Sequence, residues 1–161
     1  MAWLNLDNLQ GSKTALVRLV ERYDRSSYRI SHLEIQKLAY LLKVAGEPGL
    51  QGLIYHRSNY GPYAYNLSHA LDGVEGDNGC EQNRDRSFEH VSQLIEGFET
   101  PYGMEMLATL HWVAQEDPQA TVDCEVAIQR VREWSERKKN LFKPNHLKMA
   151  WEHLKVQGWL G

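Results

Sequence analysis

Apolar positions in this chain recur mainly at spacings of three and four, which is the period of a helix with one face turned inward. Leu16, Leu19, Val20 and Tyr23 predict a first helix, with Ser12 as its cap and an end near Arg25-Ser26-Ser27. Ser31-His32-Leu33-Glu34 has the capping-box pattern, in which the serine oxygen takes the third amide and the glutamate reaches back to the cap amide. After it, Ile35, Leu38, Ala39 and Leu42 form one stripe, and Leu33, Tyr40, Leu41 and Val44 form a second. Two stripes predict a helix buried on most of its circumference. Gly46 suits a left-handed residue past its end, and Pro48 prevents continuation.

The middle of the chain is less regular. Residues 50–57, LQGLIYHR, predict a short strand or an extended segment. Pro62 to about Leu71 reads as a helix with proline in its first turn, and 91–95, VSQLI, as another extended piece. Between them, 73–90 is rich in glycine, asparagine and charge and reads as an exposed loop. Regular helical signals then return. Thr100-Pro101 opens a helix with Met104, Leu107, Ala108, His111 and Trp112 on its face, broken at Asp117-Pro118. Thr121 is the expected cap of the next, with Val126, Ala127, Val131 and Trp134 inward. Lys143-Pro144 opens the last, with Leu147, Ala150, Trp151 and Leu154 on one side. Gly158 closes it, and Trp159 and Leu160 are expected to fold back onto the core. The expected fold is mainly α, a compact single domain over 1–161 with at most a small β element. Its final segment resembles the third helix and strand start of a winged helix.

Composition narrows the function more than the fold. The chain has 161 residues, 42% hydrophobic and 24% charged, with a net charge of −3. No global basic field draws in nucleic acid. No run of about 18 apolar residues and no secretory pattern is present. A cytoplasmic location is therefore expected, with no membrane partner. Cys80 and Cys124 stand at no metal-ligand spacing and read as free thiols.

Candidate chemistry is sparse. Among seven histidines, His146 and His153 share a helical face but lie two turns apart. No HExxH, CxxC, GxSxG or P-loop pattern occurs. Glu96 and Glu99 have no matched acid or base nearby in sequence. No catalytic residue, metal site or cofactor is expected. Trp112, Trp134 and Trp151 fall on apolar faces and read as core. Tyr60, Tyr63 and Tyr65 cluster around Gly61-Pro62, where core packing and contact surface are both open, because tyrosine offers large area with a polar tip. Segment 72–89 carries Asp72, Glu75, Asp77, Glu81, Asp85 and Glu89 against Arg84 and Arg86. It reads as a solvated loop or as an acidic surface that docks on a basic, nucleic-acid-binding partner.

Several segments carry a resemblance: EIQKLAYLLKVAGEP (34–48), NYGPYAYNLSHALDGVEG (59–76), Asp85-Arg86-Ser87, LIEGFETPYGMEMLATLHWVA (94–114) and REWSERKKNLFKPNHLKMAWEHLKVQGWL (132–160). In this order they resemble the C-terminal domain of the DarG antitoxins, over roughly 30–160. The pairing of QKLAYLL with GPY also resembles the broader SocA-like (Panacea) antitoxin domains. The resemblance implies a partner, a DarT-like toxin that uses NAD to ADP-ribosylate thymidine in single-stranded DNA. It implies that the chain binds this toxin and blocks its DNA site. The family's glycohydrolase activity belongs to an N-terminal macrodomain, for which 161 residues leave no room, so the chain is expected not to be an enzyme. The candidate partner contacts are Tyr60, Tyr63, Tyr65, Glu75, Asp77, Glu81, Asp85 and Arg86, with nucleic acid not expected as a partner of this domain alone. The alternative is a DNA-binding, autoregulatory module built on the winged-helix-like end, where Lys138, Lys139, Lys143, Lys148 and Lys155 give local basic character.

Overall fold

The computed structural model describes residues 16, 19–20, 30–47, 50–67 and 81–160, with only the backbone course for 81–85. Among these, six helices and one two-stranded sheet form a mainly α fold: α1 (His32–Val44), β1 (Tyr55–Ser58), β2 (Gly61–Ala64), α2 (Glu81–Ile95), α3 (Pro101–Glu116), α4 (Cys124–Trp134), α5 (Glu136–Leu141) and α6 (Pro144–Val156). A 3-10 turn, Pro118–Thr121, joins α3 to α4. Leu16, Leu19 and Val20 are helical and buried, as their spacing predicts, while Ser12 and Tyr23 lie outside the described residues.

Helix α1 begins where the capping box places it. Ser31 Oγ accepts from Glu34 N at 3.2 Å, and Ser31 N donates to Glu34 Oε1 at 3.2 Å. Residues 34–42 are all buried, so the helix is enclosed as its two stripes require. Gly46 takes φ +95° past its end. Helix α3 is the centre of the fold and packs on α1, the hairpin, α4 and α6. Thr100 caps it through Gly103 N at 2.9 Å, with Pro101 at the first position. Helix α6 buries Leu147, Ala150, Trp151 and Leu154, and Trp159 and Leu160 return to the core behind Gly158.

Four local expectations give way. Pro62 lies in strand β2 rather than opening a helix, because its segment pairs with 55–58. Residues 91–95 end helix α2 rather than forming an extended piece. The same helix reaches back to Glu81, so the expected 73–90 loop is helical over 81–90, and 73–80 lie outside the described residues. The signal was a short one: Phe88, Val91, Leu94 and Ile95 bury one face beneath an otherwise polar helix. Asp123, not Thr121, caps α4, through Glu125 N at 2.9 Å, and the Thr121 hydroxyl instead donates to Pro118 O. Among the described residues no strand follows α6, which ends in a turn and an irregular segment.

Two histidines tie α2 to α6 reciprocally. His153 Nε2 meets the Leu94 carbonyl at 2.7 Å, and His90 Nε2 meets the Gln157 carbonyl at 3.2 Å. Each ring satisfies a carbonyl left open at the C-terminal end of the opposite helix.

Candidate functional site

The four tyrosines of the sequence motif fold into one antiparallel hairpin. Tyr55 pairs with Ala64, His56 with Tyr63, Arg57 with Pro62 and Ser58 with Gly61, leaving Asn59-Tyr60 as a two-residue turn. The Ser58 hydroxyl donates to Gly61 O at 2.6 Å and accepts from Tyr60 N at 3.2 Å. Pro62 is tolerated because both strands of a two-stranded sheet are edges, where a missing amide hydrogen need not break a ladder. An isolated hairpin is marginal in water, so its rigidity must come from what holds it.

Helix α1 supplies that support from two adjacent side chains. The Gln36 amide nitrogen donates to Ala64 O at 2.8 Å, and its oxygen accepts from Ala64 N at 3.0 Å. Gln36 thus binds β2 as a neighbouring strand would. Lys37 Nζ donates to Pro62 O at 2.7 Å. Both side chains are fully buried. Gly61 makes the close approach possible: its φ is +96°, and a Cβ there would stand 2.9 Å from Thr109 Oγ1 and 3.4 Å from Lys37 Nζ. The QK step of α1 and the GPYA of β2 are therefore one tertiary unit.

Beneath the hairpin, Glu105 of α3 gathers the cations. Lys138 Nζ lies 2.8 Å from Glu105 Oε2, and Arg137 donates to both carboxylate oxygens at 3.1 Å each. Such a fork holds geometry as well as charge. Burial pushes the Lys37 ammonium down to about 7, against the pull of Glu105. Burial also lowers Lys138, again opposed by Glu105. Desolvation dominates at Lys37, whose ammonium meets a backbone carbonyl rather than a carboxylate, and the neighbouring Lys138 charge adds to the lowering.

The outer face of the hairpin is a groove of about 510 Å³ lined by His32, Arg57, Tyr60, Tyr63 and Tyr65. Tyr60 is 48% exposed and Tyr65 75%. Tyr63 Oη meets His32 Nε2 at 2.9 Å, and the Tyr63 and Tyr65 rings meet edge to face at 4.8 Å between centroids. Burial and the nearby Lys37 hold His32 below its ordinary pKa. Arg137 stacks over Tyr60 at 4.4 Å and donates to Asn59 O at 2.9 Å. Arg57 stacks over Trp134 at 4.1 Å, and Trp134 Nε1 donates to Ser58 O at 2.9 Å. The turn is therefore clamped by the α4–α5 junction. This arrangement offers stacking area and hydrogen-bonding tips on a fixed frame, which suits recognition. Among the described residues no group of three or more His, Cys, Asp or Glu is placed to hold a metal.

The expected contact residues divide. Tyr60, Tyr63 and Tyr65 share the groove. Glu81 and Asp85 lie on helix α2, not on a loop, and Arg86 is exposed there. Glu75, Asp77 and Cys80 fall outside the described residues, and Cys124 is a free thiol at the start of α4. The groove also contains His32 and Arg57, which sequence reasoning missed. His32 stands apart from the tyrosines in the chain and only the α1 contact brings it to them, whereas Arg57 lies among them, between Tyr55 and Tyr60, and carried no signal of its own. No described helix is long and apolar enough to cross a membrane.

Comparison with known proteins gives a family context. No family model matches the chain. It is 30% identical over 179 residues to a protein of Thermus aquaticus named DNA ADP-ribosyl glycohydrolase, an alignment covering 94% of this chain and 48% of that protein. It is also 30% identical over 159 residues to proteins of the same name from Mycobacterium bovis and Mycobacterium tuberculosis, covering 78% of this chain and 44% of each. The chain is thus a sequence relative of DNA ADP-ribosyl glycohydrolases and spans about half the length of the curated relatives it matches. The expectation that it is not an enzyme is corrected by this finding, since the relatives bear an enzyme's name.

Proposed function

We propose that this chain acts within a DNA ADP-ribosylation system by binding a DarT-like ADP-ribosyltransferase and occluding its single-stranded DNA site. The observation that carries the reading is the tyrosine hairpin: exposed rings on a turn held rigid by Gln36, Lys37, Arg137 and Trp134. Preorganised aromatic side chains lose little entropy on binding and are common hot spots. Kinship with proteins named for DNA ADP-ribose chemistry supports the choice of partner. Helix α2 carries Glu81, Asp85 and Glu89 in its sequence and would add negative charge toward a DNA-binding partner.

The test is a titration of the cognate transferase with this chain while DNA modification is followed. Modification should fall in proportion to added chain and stop at equivalence. Absence of a complex at micromolar concentrations overturns the reading. Because the relatives are named glycohydrolases, the same preparation is assayed for release of ADP-ribose from premodified DNA. Turnover there, with no complex, would replace binding by hydrolysis as the activity of this chain.

A further inference from the structure

The two edges of the hairpin are not alike. In an antiparallel pair, alternate residues turn both backbone groups away from the partner strand. On β2 these residues are Pro62 and Ala64, and helix α1 covers them: Pro62 O accepts from Lys37, and Ala64 N and O pair with Gln36. Their register partners on β1 are Arg57 and Tyr55, whose amides and carbonyls therefore point to the opposite edge. Among the described residues no hydrogen bond reaches these four groups. Arg57 and its neighbour His56 are exposed. An open edge of this kind is a template on which another chain pairs as an added strand.

The open stretch is short. Past Arg57, Ser58 O is held by the Trp134 indole, and before Tyr55 the Ile54 amide donates to Asn66 Oδ1. Two open residues set two apart span about 7 Å. That length suits a single extended segment better than a second copy of this chain, whose interface needs about 800 Å² a side.

Charge selects the segment. Arg57 also lines a hollow of about 480 Å³ with Glu116, Asp117, Arg130 and Glu133. Arg130 is held between Asp117 and Glu133, while Arg57 stacks on Trp134 and lies 3.5 Å from Glu116. Three carboxylates thus meet two guanidiniums. Helix α3 ends at Glu116 with no basic residue in its last turn, so the negative end of its dipole adds to the surplus. A lysine or arginine on a segment paired with Arg57 has this negative charge within reach, and an acidic segment is repelled.

We propose that β1 takes a basic, extended segment of the transferase as a third strand, a contact that rests on the transferase reading and names where the partner is held.

The experiment follows amide hydrogen exchange in the intact chain, alone and saturated with the cognate transferase. The Arg57 amide should exchange freely in the free chain and slow by about tenfold or more in the complex. Arg57→Pro removes this outward amide and spares the ladder to β2, whereas Arg57→Ala removes the same side chain and keeps the amide. Affinity for the transferase should fall about tenfold further in Arg57→Pro than in Arg57→Ala. Glu133→Lys, at an exposed position, should weaken binding about fivefold or more in low salt, with the difference fading in high salt. A complex that leaves the Arg57 amide unprotected, or equal affinity of the two Arg57 variants, overturns the edge contact and leaves the transferase reading standing. Full affinity in Glu133→Lys overturns the basic chemistry of the segment. Absence of any complex overturns both the contact and the transferase reading. Slowing of the Arg57 amide when the chain alone is concentrated makes a second copy the occupant and likewise overturns the proposal.

Discussion

The hairpin anchor and the aromatic cluster of Tyr40, His111, Trp112 and Trp159 both bury polar groups, yet they treat them oppositely. Under the hairpin, Gln36, Lys37, Lys138 and Glu105 are buried, and each has a hydrogen-bond partner. In the aromatic cluster, the Trp112 and Trp159 indole N–H groups are buried with no acceptor among the described residues. A satisfied network fixes one geometry, because each partner removed leaves a desolvated group behind. A buried donor without an acceptor costs about 1–3 kcal/mol, a cost the anchor does not carry. The first region therefore reads as the frame that presents a recognition surface, and the second as packing held by aromatic contact rather than by hydrogen bonds.

The largest effect should come from removing the carboxylate of the anchor. Glu105→Ala leaves Lys138 and Arg137 without their counter-charge and should destabilise the fold by about 3–5 kcal/mol in denaturant melts. A loss under 1 kcal/mol would show that the network does not frame the hairpin. The anchor also has a pH signature. Lys37 has a folded pKa of about 7, below its ordinary value of 10.5, so the unfolded chain binds more protons between these values. Its contribution makes stability rise as pH increases through that window. Lys37→Met should flatten the rise; an unchanged slope would assign it elsewhere.

The aromatic cluster should respond at the acid end. His111 titrates at about 4 when folded and near 6.5 when unfolded. Stability from the neutral ring is therefore full above about 6.5 and is lost as pH falls toward 4, by about 3 kcal/mol. The loss should shrink in His111→Phe, measured as Tm against pH. A smaller cost, about 1–3 kcal/mol, is expected for Gly61→Ala, where φ +96° and the near contact with Thr109 combine. Stability equal to that of the parent would mean the hairpin can move off α1.

The smallest stability effect should appear at the rim. Tyr65→Ala changes a ring that is 75% exposed and should alter stability by less than about 0.5 kcal/mol. If the groove is a contact surface, the same substitution weakens transferase binding at least tenfold in a competition assay. Equal affinity would move the contact away from the hairpin.

How much of this was legible depended on the distance over which each feature is decided. The sequence by itself determined the helix starts at Ser31 and Thr100, the stops at Gly46 and Asp117, and the return of Trp159 and Leu160. These depend on side chains reaching amides two or three residues away, or on a stripe along one helix. It also brought the tyrosines together as a motif, because they are adjacent in the chain. Only the tertiary structure decided that GPYA is a strand. Locally, Pro62 fits a helix start equally well, and the choice lies with Gln36 and Lys37, whose hydrogen bonds come from 25 and 28 residues earlier. The same holds for the meeting of Glu105 with Arg137 and Lys138, and for the packing of Tyr40 and Trp159 on His111. Pairings across such distances follow from packing, which no local pattern of hydrophobic and polar positions encodes.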